Sequence, residues 1–396
     1  MRSRAVPTEP GVYPDLQGFA VRATDGTGYR VDIAAGVLDP AHLLLAGQLT
    51  GRQVQVFTGP TVSRLYGRSL NQYLGAHLEP ASWQVHTIVT GEAGKTLATV
   101  EHVGALAKAG GLDRRGIMVA VGGGVTADIV GFAASMFARG VDYLKVNTTL
   151  LSQVDVGVGV KNGVNALGSK NMFGTYHAAT ASINDLEFLR TLPAREIRCG
   201  LGEIVKMAVI ADAGLFSTLE RHPSMFKVPC AVNPTLMSLQ DQVTRRAMRL
   251  MLEELHTNLR EHDLARLVDF GHTFSPLIEV ASGHRIAHGE AVAIDMALSA
   301  QIAALLGVLG REEADRIVGL LARLGLPVHD RQTCTVALMT RALQDARERR
   351  GRQLNLVLPT AIGAATFIDE VPADVLAIAL AQLAGSCVAR SRGLPA

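Results

Sequence analysis

Short runs of β-branched and apolar residues alternate with helical patterns over the first part of the chain. Four runs carry this signal: RQVQVFTG at 52–59, SWQVHTIVT at 82–90, GIMVAVGGG at 116–124 and VDYLKVNTTLL at 141–151. Strands that alternate with helices form βαβ units, whose strands pair in parallel. We therefore predict an α/β domain built on a parallel sheet.

The pattern changes beyond about residue 185, where strand signals nearly vanish. Residues 201–212, 235–260 and 290–309 carry apolar side chains at helical spacing. We therefore predict two domains, an α/β domain over 1–185 and an all-helical domain over 186–396. A chain of 396 residues is long enough for both, because single cores stop growing near roughly 250–300 residues.

Composition narrows the class of protein and its partners. The chain is 48% hydrophobic and 19% charged, and its net charge is only +2, with no basic stripe interleaved with aromatics for nucleic acid. No run of about 18 apolar residues predicts a membrane span. The four cysteines, at 199, 230, 334 and 387, show neither metal nor disulfide spacing. We expect a soluble cytoplasmic protein without nucleic-acid or membrane partners.

Three glycines, 122–124, join a predicted strand to a predicted helix. A turn of this kind lets backbone N–H groups approach a phosphate, and the helix N-terminus favours negative charge. The spacing is not the G-x-G-x-x-G fingerprint, so a tight connection explains it equally well. We expect Asp128 in the first turn of the helix, where it either complements the helix dipole or accepts hydrogen bonds from a ligand.

Two further stretches carry polar residues that suit ligand binding. TGEAGK, at 90–95, follows a predicted strand and offers Glu92 and Lys95. The apolar and glycine-rich stretch 148–177 contains Asp155, Lys161, Asn165, Lys170 and Asn171. Charges in such a setting are costly unless they are paired or used. We favour a polyol-phosphate site over a solvated loop.

A third set of residues suits a divalent metal. Glu203 and Lys206 are three residues apart and so share one helix face, as a surface salt bridge would also require. His272 and His288 stand at either end of a helix-like segment. Two histidines and a glutamate suffice for a metal with open positions. His284 forms an HxxxH pair with His288, but such pairs commonly mark an exposed helix face.

Several motifs, taken together and in order, resemble those of the sugar phosphate cyclases of the dehydroquinate synthase-like superfamily. They are GGGVTADIVGFAASMFARG, TTLLSQVD, KNGVN, GSKN, GEIVK, GHTF and HGEAVAIDM. The resemblance covers roughly residues 30–370 and implies a Rossmann-like NAD-binding domain followed by an all-helical metal-binding domain. It also implies a homodimer, in which Arg139 reaches the substrate phosphate of the partner subunit.

The resemblance further implies roles for individual residues. Zinc or cobalt is expected on Glu203, His272 and His288. NAD is expected near Glu92, Lys95, Gly123, Gly124, Asp128, Thr148, Thr149, Asp155, Lys161 and Lys170. Catalytic or substrate-binding roles are expected for Arg139, Asp155, Lys161, Lys170, Asn171, Lys206 and Asp269.

Residues around His272 distinguish branches of this superfamily. Dehydroquinate synthases usually carry an asparagine and a second histidine where this chain has Asp269 and Pro276. DFGHTFSP, GVGVKNGVN and GTYH resemble the 2-epi-5-epi-valiolone synthases and their relatives, which cyclise sedoheptulose 7-phosphate. An aspartate would repel a substrate carboxylate but accept hydrogen bonds from hydroxyls.

Other positions depart from the pattern of the resemblance. Asn147 replaces a usual proline, Met172 a usual arginine, and Gly59 an acidic contact to the adenosine ribose, so NAD binding is expected to be weaker or to use another residue. Ala265 stands in the place of a phosphate-binding arginine, for which Arg266 is a candidate substitute. Arg352 lies in the basic run 347–352 and serves either phosphate or only a solvated helix end.

The resemblance implies an NAD- and metal-dependent cyclase that releases phosphate. Oxidation, β-elimination, reduction, ring opening and aldol closure would yield 2-epi-5-epi-valiolone or an epimer. Two alternatives stay open: 3-dehydroquinate synthase, and a metal-dependent polyol dehydrogenase.

Overall fold

The structure, a computed structural model, describes residues 6–15, 17–226 and 234–391. The chain divides into two compact units. The first comprises Met1–Leu192 with Leu255–Arg260, and the second comprises Pro193–Glu254 with Glu261–Ala396. The predicted division into functional domains, 1–185 and 186–396, stays a proposal.

Among its described residues, the first unit has ten strands and four α-helices. The strands are β1 Gly11–Asp15, β2 Gly18–Arg22, β3 Gly28–Ala34, β4 Val54–Thr58, β5 Trp83–Thr87, β6 Ile117–Gly122, β7 Asp142–Asn147, β8 Lys161–Ala166, β9 Ser169–Tyr176 and β10 Ala181–Asp185. The helices are α1 Ala46–Leu49, α2 Pro60–His77, α3 Leu97–Ala109 and α4 Gly124–Met136.

Eight of these strands form one sheet in the order β1-β2-β3-β10-β7-β6-β4-β5. The four runs predicted as strands are β4, β5, β6 and β7, and they pair in parallel. The prediction of a parallel sheet is therefore confirmed. Strands β1, β2 and β3 add an antiparallel edge, and β8 pairs with β9 as a separate hairpin. The sequence did not predict either feature.

Both faces of the inner parallel strands β4, β6, β7 and β10 are buried, whereas the edge strand β5 is partly exposed. Consecutive residues of β4 belong to different apolar clusters, Val56 with Leu74 of α2 and Phe57 with Ile129 of α4. Because successive side chains of a strand point to opposite faces, helices cover the sheet on both sides.

The order of the strands reverses at β4. Strand β5 lies on one side of it, and the chain then crosses to place β6 on the other. In open α/β sheets, ligands bind at the carboxyl ends of the strands that flank such a reversal. Gly59 follows β4 and Gly123 follows β6, so both stand at this edge.

The second unit consists of eight helices and one hairpin among the described residues. The helices are α5 Ala194–Ala211, α6 Ala213–Arg221, α7 Pro234–Leu255, α8 Ser275–Ala281, α9 His288–Leu305, α10 Arg311–Arg323, α11 Val336–Arg349 and α12 Ala373–Ser391. The strands are β11 Leu356–Ala361 and β12 Ala364–Ile368, which pair antiparallel.

The hairpin corrects the expectation of an all-helical second domain. Its two strands are short apolar runs joined at residues 362 and 363, where Gly363 has φ +97°. Only glycine adopts such a conformation readily, and it marks a tight turn. The prediction of an all-helical domain over 186–396 had no strands in this region.

Helix α9 is the central element of the second unit. It is buried from Gly289 to Ala303 and packs against α5, α8, α10 and α12. A helix that is apolar on all sides belongs in the middle of a bundle. The first residue of this helix, His288, is thereby held in a fixed place.

The structure also describes two of the cysteines and the lengths of the helices. Cys199 and Cys334 are free thiols, whereas Cys230 and the side chain of Cys387 lie outside the described residues. Within the described chain, every helix is too short or too polar to cross a membrane.

Helices α5 and α9 touch backbone to backbone at two glycines. A Cβ on Gly289 would lie 2.2 Å from the carbonyl oxygen of Cys199, and a Cβ on Gly202 would lie 2.8 Å from the carbonyl oxygen of Gly289. Neither atom can move aside as the end of a flexible side chain would. The contact therefore requires glycine at both positions.

We expect Gly289→Ala to destabilise the protein by about 2 kcal/mol or more, because the methyl group must force the two helices apart. Denaturant unfolding followed by circular dichroism would measure the loss. The matched control is Gly319→Ala in α10, where an added Cβ meets nothing within 4 Å. The control should gain up to ~1 kcal/mol from helix propensity, and equal stability of the two variants would contradict the expectation.

Candidate metal centre and nucleotide site

Glu203, His272 and His288 come together in the second unit. Glu203 lies on α5, His272 precedes α8, and His288 begins α9. One ligand atom from each lies within 4.8 Å of the others. The Nε2 atoms of His272 and His288 are 3.7 and 3.5 Å from Oε1 of Glu203.

These separations fit a metal ion better than hydrogen bonds. Both exceed the usual length of a hydrogen bond, and Oε1 of Glu203 is buried without a hydrogen-bond partner among the described residues. Ligand atoms about 2.1 Å from a tetrahedral zinc lie roughly 3.4 Å apart. The three residues can therefore hold a divalent metal.

The other nitrogen of each histidine is anchored. Nδ1 of His272 is 3.0 Å from the carbonyl oxygen of Phe270, and Nδ1 of His288 is 3.0 Å from Oε1 of Glu279. A proton on Nδ1 leaves Nε2 with a free lone pair directed at Glu203, as metal ligation requires. The sequence analysis missed Glu279, whose only signal is an acid within the apolar run PLIEV.

Lys206 is part of this centre. Its Nζ is 2.5 Å from Oε2 of Glu203, and both residues are buried, so the pair is not a surface salt bridge. Burial raises the pKa of Glu203, but the ammonium of Lys206, with a smaller effect of the two imidazoles, outweighs it and holds that pKa well below its ordinary value. The carboxylate is therefore ionised and ready to bind a cation.

Asp269 is engaged by two arginines. Its carboxylate lies 2.5 Å from Nη2 of Arg266 and 3.2 Å from Nη2 of Arg350. Burial raises the pKa of Asp269, but the two guanidinium groups lower it below its ordinary value. Arg266 also pairs with Glu261, so the charges of these four residues balance. Asp269 is therefore expected to repel a substrate carboxylate only weakly, because the arginines neutralise its charge.

Arg350 is the partly buried arginine of the basic run. Its Nη1 donates to the carbonyl oxygen of Leu354 at 2.8 Å and to Oγ1 of Thr273 at 3.2 Å. The sequence analysis had instead singled out Arg352, which is exposed with φ +78°. Nothing in the sequence separates the two, because both belong to one run of like charges.

Pro276 and His284 have local explanations. Pro276 lies in the first turn of α8, where the absent N–H would have had no helical partner. His284 lies in an exposed turn with φ +60° and not on a helix face. It is not part of the metal cluster.

In the first unit, residues predicted to bind NAD or substrate form one connected network. Lys95 Nζ lies 2.5 Å from Oδ2 of Asp128 and donates to Oδ1 of Asn171 at 2.6 Å. Glu92 accepts a hydrogen bond from Nδ2 of Asn165 at 2.8 Å. Lys170 Nζ is 3.7 Å from the Glu92 carboxylate. The network joins α4, the loop after β5 and the β8–β9 hairpin.

The position of Asp128 corrects one expectation. Helix α4 begins at Gly124 and has no acid in its first turn, so Asp128 stands one turn further in. Burial raises its pKa despite the Lys95 ammonium. The helix-dipole explanation therefore fails, because that effect is confined to the first turn.

The glycines and threonines predicted around NAD lie at the carboxyl ends of β6 and β7. Gly123 and Gly124 begin α4, and Thr148 donates its N–H to the carbonyl oxygen of Gly122. A Cβ on Gly123 would lie 3.0 Å from the side chain of Thr149. The turn is thus narrow and leaves the N-terminus of a helix of 13 residues for an anion.

Gly59 and Asn147, two departures from the pattern of the resemblance, are structurally explained. A Cβ on Gly59 would lie 2.6 Å from Oγ1 of Thr90, so a side chain there would require Thr90 to shift. Asn147 is buried, and its Nδ2 donates to Ser182 Oγ at 2.8 Å and to Asn184 Oδ1 at 2.9 Å. Met172, the third departure, is half exposed on β9.

Three further predicted residues are Asp155, Lys161 and Arg139, and the first and last of them occupy unusual backbone. Asp155 lies in a π-helical turn, Ser152–Val156, and Lys161 begins β8. Arg139 is exposed, and both it and Ala138 are left-handed, with φ +70° and +49°. Non-glycine residues in this region cost about 1 kcal/mol or more and cluster at functional sites.

Models of two family domains match consecutive parts of the chain. The model described as 3-dehydroquinate synthase N-terminal matches residues 85–199, and the one described as 3-dehydroquinate synthase C-terminal matches residues 200–348. The chain belongs to the 3-dehydroquinate synthase family, which includes the sugar phosphate cyclases.

Individual relatives indicate which members of the family the chain is similar to. The chain is 62% identical over 387 residues to a 2-epi-5-epi-valiolone synthase of Streptomyces glaucescens, covering 97% of this chain and 98% of the relative. It is 39% identical, with a TM-score of 0.84, to the structure of ValA, the 2-epi-5-epi-valiolone synthase of Streptomyces hygroscopicus subsp. jinggangensis 5008, with NAD+ and Zn2+ bound. That match covers 91% of this chain and 98% of ValA.

A 2-deoxy-scyllo-inosose synthase, complexed with carbaglucose-6-phosphate, NAD+ and Co2+, has the same fold. Its TM-score is 0.77 at 22% identity, over 90% of this chain and 97% of that one. The two-domain fold expected from the resemblance is therefore confirmed.

The pairing of Lys95 with Asp128 generates a prediction that needs no ligand. Lys95→Met leaves a buried carboxylate without its ammonium, so we expect a loss of about 3 kcal/mol of stability. Asp128→Asn in the same background should recover part of that loss, because it removes the uncompensated charge. Urea unfolding without NAD would measure the free energy of unfolding of the wild type, the two single variants and the double variant. Additive effects of the two substitutions would contradict the pairing.

Proposed function

We propose that the protein is an NAD- and metal-dependent cyclase that converts sedoheptulose 7-phosphate to 2-epi-5-epi-valiolone, or to an epimer, with release of phosphate. The observation that carries this proposal is the 62% identity, over nearly the whole chain, to a 2-epi-5-epi-valiolone synthase. The reaction would proceed by oxidation, β-elimination, reduction, ring opening and aldol closure. We place the enzyme in the cytoplasm, in the biosynthesis of a cyclitol natural product.

Glu203, His272 and His288 would hold the metal, zinc or cobalt. Support comes from the buried Oε1 of Glu203, which lacks a hydrogen-bond partner among the described residues and faces both Nε2 atoms. A divalent metal there supplies a Lewis acid toward substrate hydroxyl groups. Lys206 keeps Glu203 ionised, and Glu279 fixes the orientation of His288.

Residues of the first unit would bind NAD, whose chemistry is reversible hydride transfer. We assign the pyrophosphate to Gly123 and Gly124 at the N-terminus of α4. The remaining contacts are assigned to Glu92, Lys95, Asp128, Thr148, Thr149, Asp155, Lys161 and Lys170. Because Gly59 has no side chain to contact the adenosine ribose, the ribose would be bound by another group.

Positively charged residues would bind and release the substrate phosphate. We assign this role to Lys161, Lys170 and Arg139, with Asn171 as a further hydrogen-bond donor. Fixed cations stabilise the charge that develops on a leaving phosphate. Asp269, held ionised between Arg266 and Arg350, would accept hydrogen bonds from substrate hydroxyls through its remaining lone pairs.

Turnover of sedoheptulose 7-phosphate with NAD and Zn2+ or Co2+ tests the activity. We expect phosphate release and a cyclitol product in equal amounts, measured by a phosphate assay and mass spectrometry, with NMR to assign the epimer. The control substrate is the seven-carbon acid phosphate of dehydroquinate synthases. Turnover of that acid alone would identify a dehydroquinate synthase, and NADH accumulation without phosphate release would identify a polyol dehydrogenase.

Metal retention tests the ligand set. We expect His272→Ala and Glu203→Ala to lose the metal, because each removes one of three ligands. His284→Ala, the matched control in an exposed turn, should keep it. Metal content after dialysis, measured by inductively coupled plasma mass spectrometry, gives the result, and undiminished metal in the first two variants would exclude those residues as ligands.

We also propose that the protein is a homodimer, in which Arg139 acts on the substrate of the partner subunit. Apolar side chains of the β8–β9 hairpin are exposed, with Leu167 at 80%, Met172 at 50% and Tyr176 at 43%. Exposed apolar clusters of this kind mark protein interfaces.

Mixing two inactive variants tests whether Arg139 serves the active site of the partner subunit. Arg139→Ala and His272→Ala should each be inactive alone. After unfolding and refolding together, half of the dimers are mixed and each has one complete site, so about a quarter of the wild-type activity should return. No recovery, in mixed dimers demonstrated by tagged purification, would mean that Arg139 acts within its own subunit.

A further inference from the structure

Lys145 is a lysine buried in the middle of the parallel sheet. It lies in β7, between β6 and β10, and is 1% exposed. Its Nζ donates to the carbonyl oxygens of Val156 at 3.0 Å and Gly159 at 2.8 Å. Burying an ammonium is costly, and a neutral side chain would pack in a sheet at lower cost. The sequence analysis gave this residue no role.

The two carbonyl groups belong to one short segment, residues 152–161. It begins with the π-helical turn Ser152–Val156, a form of helix that is frequent at functional sites. The buried Tyr29 of β3 ties the same segment, because its hydroxyl donates to the carbonyl oxygen of Val158 at 2.9 Å. Two side chains from the sheet thus hold three carbonyl groups between residues 156 and 159.

Asp155 and Lys161 flank the carbonyl groups that Lys145 binds. Asp155 directly precedes Val156, and Lys161 follows Gly159 by two residues. Both are assigned to cofactor or substrate above. A shift of the segment would move both side chains together, and displacements of about 1 Å can cost two orders of magnitude in rate.

We propose that Lys145 is a positioning residue, which holds the segment 152–161 so that Asp155 and Lys161 meet NAD and substrate in a fixed arrangement. The inference rests on the proposed function.

The charge of Lys145 matters as well as its hydrogen bonds. Burial lowers the pKa of Lys145 to about 8, and the carboxylates of Asp128 and Asp155 act in the opposite direction. Its ammonium in turn favours the ionised form of Asp128.

Three variants separate the contributions of Lys145. Lys145→Met keeps the length of the side chain but removes both donors and the charge. Lys145→Gln keeps N–H donors without the charge. Tyr29→Phe, the matched control, removes one neutral hydrogen bond from the same segment. For each variant we would measure the Kd of NAD by calorimetry, kcat and KM for sedoheptulose 7-phosphate, and amide hydrogen exchange of residues 157–159.

We expect Lys145→Met to raise the Kd of NAD and to lower kcat, each about tenfold or more, with faster exchange at residues 157–159. Tyr29→Phe should change each quantity less than threefold. A folded Lys145→Met protein with a lowered Tm but with Kd and kcat within twofold of wild type would overturn the inference. Should that variant not fold, Lys145→Gln decides by the same criterion.

The inference and the proposed function fail in different ways. A wild-type protein that binds NAD but releases no phosphate from sedoheptulose 7-phosphate overturns the assigned reaction, while the Kd of NAD still tests Lys145. A wild-type protein with full activity, together with unchanged Lys145→Met and Lys145→Gln variants, overturns only the role of Lys145.

Discussion

The buried carboxylate of Glu203 sets the arrangement of the second unit around the metal centre. An uncompensated carboxylate at such a depth would cost many kcal/mol or take up a proton. Lys206 compensates one of its oxygens, and the other faces two imidazole rings across distances that suit a cation. The burial of α9, the start of α8 and the glycine contact between α5 and α9 all serve to keep these groups together. Because binding a metal favours the folded state, occupancy of this centre would also stabilise the unit.

The sequence predicted those parts of the fold that have strong local periodicity. Strands β4, β6 and β7 are buried on both faces and therefore appear as apolar runs between helices. The edge strands β1 to β3 and the hairpins lack this signal, because they are short, partly polar and paired through contacts distant in sequence. The β11–β12 hairpin was not predicted, because its two strands are short and follow closely after the basic run 347–352.

The candidate site was predictable where motifs carry it. The family motifs pointed to the proposed metal ligands Glu203, His272 and His288, and to Asp128 and Asn171, two members of the network around Lys95. The partners of these residues were not predictable. Glu279, Arg350 and Lys145 matter because of the groups that they contact in the folded protein and the depth at which they lie. The periodicity of the sequence indicates neither property. The pairing of Asp269 with two arginines is likewise invisible in sequence, and it weakens the electrostatic argument for substrate choice that Asp269 alone had suggested.

The contact between Gly202 and Gly289 has a consequence for how such a chain can diversify. Each glycine is adjacent to a proposed metal ligand, Glu203 or His288, and an added Cβ at either position would meet backbone atoms. Substitution of either glycine would therefore disturb a helix that carries one of these ligands. The loop that carries His272 is restricted in the same way, because Gly271 has φ +78° and a Cβ there would lie 2.9 Å from the side chain of Val292 in α9. Each of the three proposed ligands thus stands beside a glycine that has little room for a side chain, and the backbone around the centre has little freedom to change.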